Sequence, residues 1–273
     1  MAMATGDANL ILAHNNNRYA EVFVGGDSDD AIQIDAFAVA REVTADTVGT
    51  FSGWVNMPDI TGTYTMISCA DANAVETMTF GIEAGKMYAY MNIAANIAFD
   101  INSTNVVITP HKWHHIAFVQ NGTRIIMYVD GAAVAMTDTN ITEVTYWFAN
   151  LPNCDSGSIG ATDSAGGAAA LTNEFKGGIA DVKYWNVALT ANRIAQEYQS
   201  GNQTTDLISH WDFVEDLVDN VSSHDGTAVG DVFNSNAYGE LASRIKLAGA
   251  VVADDVSLAE INQTDMSALI IKA

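Results

Sequence analysis

Between His111 and Met136 the sequence HKWHHIAFVQNGTRIIMYVDGAAVAM breaks its apolar runs at Asn121-Gly122 and again at Asp130-Gly131. Both pairs take positive φ at little cost, which is what a tight turn between antiparallel strands asks of the backbone. The segment is predicted to be a three-stranded antiparallel meander with two-residue turns. This feature commits the chain to antiparallel β structure before any other is considered.

Further strands are predicted at Ala20–Val24, Ala31–Asp35, Gly49–Met57, Thr63–Cys69, Thr77–Ala84, Met87–Ile93 and Gly178–Trp185. Most alternate or are rich in β-branched and aromatic residues, and Gly, Asn or Asp punctuates them. One helix is predicted over Ala191–Ser200. Thr190 caps it, Leu189 and Ile194 form a hydrophobic staple, and Gly201 ends it. Ser156–Ala170, rich in Gly, Ala and Ser, reads as mostly loop. Only 16% of residues are charged, so Asn, Thr, Ser and Gly supply much of the surface polarity, as suits a β protein with many turns.

Four segments, in order, carry a family resemblance: Thr50-Phe-Ser-Gly-Trp-Val, Lys112-Trp-His-His-Ile-Ala, Ile126-Met-Tyr-Val-Asp-Gly, and Phe175-Lys-Gly-Gly-Ile-Ala-Asp-Val-Lys-Tyr-Trp followed by Leu189-Thr. Together they resemble the laminin G-like, pentraxin-type branch of the concanavalin A-like lectin/glucanase superfamily. Leu207–Phe213 stands where pentraxins carry a closing strand. The resemblance implies an all-β fold, a two-sheet antiparallel jelly-roll-like sandwich with one short helix. Residues 19–235 are expected to form it, with an N-terminal arm over 1–18 and a C-terminal tail over 236–273. Pentraxins carry a disulfide between the strands that here hold Ser52 and Ala117, and neither position is Cys. Cys69 and Cys154 are too few for a disulfide framework and read as buried free thiols, with pairing between them the alternative.

The resemblance also directs the search for chemistry. Retaining glycosidases of this fold use a strand motif in which a Glu is followed two residues later by Asp, then by a second Glu. No Glu of this chain has Asp at its second following position, so an enzyme is not expected. His114 and His115 are adjacent on a strand and point to opposite faces, which reads as structural. Pentraxins bind calcium through two loops; the first matches Asp71 and Asn73 here, and the second matches Asp163. These three oxygen-bearing residues are the candidate metal ligands, while Ala161 and Thr162 stand where the family has acidic and amide donors. Ordinary turn roles for the same residues are the competing reading. Trp147, in Thr145-Tyr-Trp-Phe-Ala, is expected to be an exposed aromatic platform for a glycan.

The charge narrows the partners. Lys and Arg number 11 against 33 Asp and Glu, a formal net charge of −22, which repels nucleic acid and anionic membranes. No stretch reaches the length of a membrane span, and Met1–Leu12 does not read as a signal peptide. The function expected is that of a non-catalytic virion surface or decoration protein, made in a host cytoplasm. Its expected partners are other virion or assembly subunits in a homo-oligomer, with surface glycans as a further ligand. The arm and the tail, whose SALII run suits strand addition to a neighbour, are expected to serve assembly. The alternative is a secreted or cell-surface carbohydrate-binding module.

Overall fold

A computed structural model describes residues 21–23, 30–163, 171–214, 216–230 and 232–234. The arm over 1–18 and the tail over 236–273 lie outside the described residues, and so does the assembly role expected of them.

Two antiparallel sheets face each other, with strands numbered in chain order. Sheet A runs β10 (Ala132–Ala133), β9 (Ile125–Val129), β8 (His114–Gln120), β3 (Gly49–Asn56), β15 (Gly177–Trp185), β1 (Glu21–Phe23) and β18 (Val232–Asn234); β16 (Leu207–Trp211) also pairs with β15. Sheet B runs β11 (Met136–Ile141), β7 (Asn96–Ser103), β6 (Lys86–Ile93), β5 (Thr77–Glu83), β4 (Thr63–Ala70), β12 (Ser156–Ile159), β2 (Ala31–Gln33) and β17 (Thr227–Val229). Side chains alternate across a strand, so every second residue enters the core. Phe51 and Val55 of β3 and Ile116 and Phe118 of β8 meet Met78, Phe80 and Ile82 of β5 and Met87, Ala89 and Met91 of β6 there.

The outer face of sheet A is roofed by the predicted helix, α2 (Ala191–Ser200). The Thr190 hydroxyl accepts from the Arg193 amide at 3.3 Å, and Gly201 takes the left-handed φ of 66° that ends the helix. Beneath it lie Ala117, Val119, Tyr128 and Trp185, while Tyr198 stacks on Trp54 with ring centroids 5.6 Å apart. The Lys183 ammonium, on the same outer face of β15, donates to Glu197 Oε1 at 2.7 Å and to the Gly201 carbonyl at 2.9 Å. A buried ion pair thus fastens the helix at the end where its last carbonyls emerge.

A second helix corrects the expectation of one. α1 (Asp35–Thr44) occupies a stretch whose first residue was assigned to a strand. Its N-cap is Ile34, with no capping side chain, and the left-handed residue at its end is Ala45, not Gly, so neither boundary carries the usual signal. Phe37 inserts between the sheets, against Phe51, Tyr184 and Trp211, and Ala38 packs over Gly157 of β12. A Cβ at Gly157 would come within 2.9 Å of the Ile34 carbonyl, which explains the glycine.

The meander is present, with one correction. Val129 pairs with Ala132, so Asp130 and Gly131, both at positive φ, form the expected two-residue turn. Gln120 pairs with Ile125, so the Asn121 turn is four residues long. The Asn121 side-chain oxygen accepts from the amides of Thr123 and Arg124 and holds that wider loop. The Ser156–Ala170 segment is also corrected in part, since it contributes β12 and β13 (Thr162–Asp163), the latter paired with β14 (Leu171–Thr172).

Candidate functional site

Among the described residues no helix lies over the outer face of sheet B. What that face displays follows from the alternation in Lys86-Met-Tyr-Ala-Tyr-Met-Asn: Met87, Ala89 and Met91 fill the core, so Tyr88, Tyr90 and Asn92 stand on the other side. The register extends this into a row. Ser158, Ser68, Thr79, Tyr90, Asp100 and Asn140 are successive partners across β12, β4, β5, β6, β7 and β11. Gly81, Tyr88, Asn102 and Thr137 form an adjacent row.

One half of the face is covered by its own chain. Ala161–Asp163 folds back over β4 and β12: the Ser68 and Ser158 hydroxyls donate to the Ala161 carbonyl, and Thr65 and Thr162 share a hydroxyl contact of 2.7 Å. On the other half, Thr79, Tyr88 and Asn102 form a buried floor, while Glu83, Tyr90 and Asp100 are partly exposed and the β11 residues Thr137 to Asn140 are exposed.

The polar groups here are ordered. The Asn102 amide donates to Glu83 Oε2 at 2.6 Å, which fixes a carboxylate reaching over β6, and Thr139 lies 3.5 Å from the Asn102 oxygen. Burial, with the nearby Glu83 charge, holds the Asp100 carboxyl above its ordinary value. Burial raises the Tyr90 phenol as well, helped by Asp100. Both tyrosines are therefore neutral hydroxyl donors at neutral pH, beside two carboxylate acceptors.

The residues singled out from sequence fall elsewhere. Trp147 is fully buried, which corrects its assignment as an exposed platform. Its ring lies 5.3 Å from Phe80 and 5.7 Å from Phe51, and its indole N–H donates to the Tyr184 hydroxyl at 3.2 Å. Tyr184 in turn donates to Asp46 Oδ2 at 2.9 Å. Trp147 lies outside every predicted strand, which gives it the look of a surface residue, but it stands at the start of the short 3-10 turn Phe148–Asn150 and packs inward.

Asp71 follows Ala70 at the end of β4, and its Oδ1 accepts from the Asn73 amide at 2.8 Å, a local turn bond. Asn73 is exposed, whereas Asp163 is buried, its carbonyl near the Ser156 hydroxyl at 3.4 Å. Among the described residues no three His, Cys, Asp or Glu side chains gather as a metal-holding group.

The paired histidines are accounted for structurally. His114 Nε2 accepts from the Thr109 amide at 3.0 Å, so Nδ1 carries the proton and donates to Asp130 Oδ2 at 2.9 Å. His115 packs edge-on against Trp54, 5.4 Å between rings. Cys69 and Cys154 are both buried free thiols.

The family model for the concanavalin A-like lectin/glucanases superfamily matches residues 25–195. No curated protein matches the chain. Among solved structures, the CBM40 of the Ruminococcus gnavus IT-sialidase, bound to α2,3-sialyllactose, is 12% identical with a TM-score of 0.53, over 64% of this chain and 96% of that one. A native heptameric SAP-like pentraxin from Limulus polyphemus is 14% identical with a TM-score of 0.52, over 80% of this chain and 94% of that one. The leech intramolecular trans-sialidase, 15% identical with a TM-score of 0.51, aligns over 67% of this chain and 28% of its own. At these identities the likeness shows the fold alone.

Proposed function

This chain belongs to the concanavalin A-like lectin/glucanases superfamily, and from that premise we propose that it is a non-catalytic carbohydrate-binding module. The glycan lies on the open half of the outer face of sheet B. One observation carries the reading: Tyr90 stands between Thr79 and Asp100 in a single row, with Tyr88 and Asn102 in the next. An aromatic ring offers an apolar surface to the C–H face of a sugar, and the flanking hydroxyl, amide and carboxylate groups meet its hydroxyls. The sialyllactose bound by the R. gnavus module is in keeping with this use of the fold.

Catalysis is not part of the proposal. The chain lacks the strand motif of the retaining glycosidases, and Glu83 is tied to Asn102. Display of the same face on a virion surface, by a homo-oligomer, is a second reading. The net charge of −22 favours it, since such a surface stays clear of packaged nucleic acid. A repeated array of weak sites also gains avidity.

A glycan array followed by calorimetric titration tests the binding reading. Tyr90→Ala is expected to weaken binding roughly tenfold, the loss of about one aromatic contact, with little change in melting temperature. Binding that ignores Tyr90→Ala and Asp100→Asn, or no binding to any arrayed glycan, overturns it. Release of free sugar from the array would replace binding with hydrolysis.

A further inference from the structure

We infer that the glycan taken by this face is uncharged and rich in hydroxyls, and that the face rejects sugars bearing a carboxylate. The inference rests on the binding reading above and concerns its specificity. It starts from which charges the sheet places there. Asp100 stands beside Tyr90 in the row, and the Glu83 carboxylate is held over β6 by the Asn102 amide at 2.6 Å. Ionised carboxylates accept hydrogen bonds and donate none. A sugar hydroxyl meets them as a donor, whereas a sugar carboxylate meets them as a like charge.

The cations near the face do not offset this. Lys86 is the register partner of Glu83 across β5 and β6, so the nearest base of the face comes paired in the sheet with an acid. Arg124 reaches toward β11 but is bound to Asp138 Oδ1 at 2.7 Å. An arriving sialic acid would therefore find Tyr90 flanked by an acid, with each nearby base already facing one. Burial, and after it the Glu83 charge, pushes the Asp100 carboxyl up. A third negative charge a few ångströms away is expected to cost on the order of tenfold in affinity at low salt. Rejecting a near-identical ligand through a repulsive contact is how sites of modest affinity obtain specificity.

The test compares matched pairs of arrayed glycans, each with and without a terminal sialic acid, and then titrates lactose and α2,3-sialyllactose into the intact protein. Neutral members are expected to bind on the order of tenfold more tightly at low salt. The gap should narrow at high salt, where screening shortens the reach of both carboxylates. It should narrow again in Glu83→Gln with Asp100→Asn, a pair that keeps an acceptor for Asn102; the salt series on the unaltered protein decides the matter if that variant folds poorly. Sialylated glycans binding as well as their neutral counterparts would overturn the inference while leaving a Tyr90-dependent glycan site intact. Failure of every arrayed glycan to bind would instead bring down the binding reading, and this inference with it.

Discussion

At the scale of single residues, Trp147 and Tyr90 show how one residue class divides between core and surface. Trp147→Ala is expected to cost about 3–5 kcal/mol, because it empties the centre of an aromatic cluster and leaves the Tyr184 hydroxyl without its donor. Tyr90→Ala should cost little stability and much binding. Thermal melts and titrations on both variants check this, and a large loss of stability in Tyr90→Ala would move that residue into the core. Cys69 and Cys154, buried and with burial pushing the Cys69 thiol up, should resist a thiol reagent until the protein unfolds. Rapid labelling of the native protein would contradict their placement. The strand that holds Tyr88 and Tyr90 was legible in the sequence, since Lys86-Met-Tyr-Ala-Tyr-Met-Asn alternates cleanly, but its outward tyrosines were not singled out as a site. Asp100 and Asn102 were harder to read, because no turn signal of Asn-Gly type announces β7. Trp147 was misread because the turn that buries it has no periodicity at all.

At the scale of elements, helix α2 was readable to the residue and α1 was not. Thr190 and Gly201 are strong boundary signals, while Ile34 and Ala45 are none, so only packing of Phe37 between the sheets reveals α1. The anchoring of α2 gives a further prediction. Lys183→Met leaves Glu197 buried without its cation and is expected to cost about 3–5 kcal/mol. Adding Glu197→Gln should recover part of that loss, so the double variant costs less than the sum of the singles. A double-mutant cycle by chemical denaturation measures it, and strict additivity would mean that the ion pair does not hold the helix.

At the scale of the whole molecule, several buried groups oppose acid. Burial pushes Asp181 up, but the hydrogen bond from His210 and the Lys183 ammonium outweigh it and hold the carboxyl well below its ordinary 3.8. Asp219, bonded by the amides of His210, Val221 and Ser222, is likewise held low. Their contributions are complete above pH 3.8 and are lost as pH falls through the folded values. His224, lowered from 6.5 by burial, contributes fully above that pH and loses its contribution as it is forced to charge. Asp35 and Asp100, held high, act in the opposite sense. The difference in melting temperature between the natural protein and His224→Gln is therefore expected to be widest above pH 6.5 and to shrink on acidification. A difference that grows in acid would reverse the sign assigned to His224.

The single-residue alternation of β5, β6 and β7 has an evolutionary consequence. Each core-facing position is answerable to the fold, whereas its immediate neighbours answer mainly to whatever the open face meets. Recognition can then drift without the scaffold drifting, because the two sets of positions interleave but do not overlap. Tolerance to substitution, scanned position by position along these strands, should beat with a period of two.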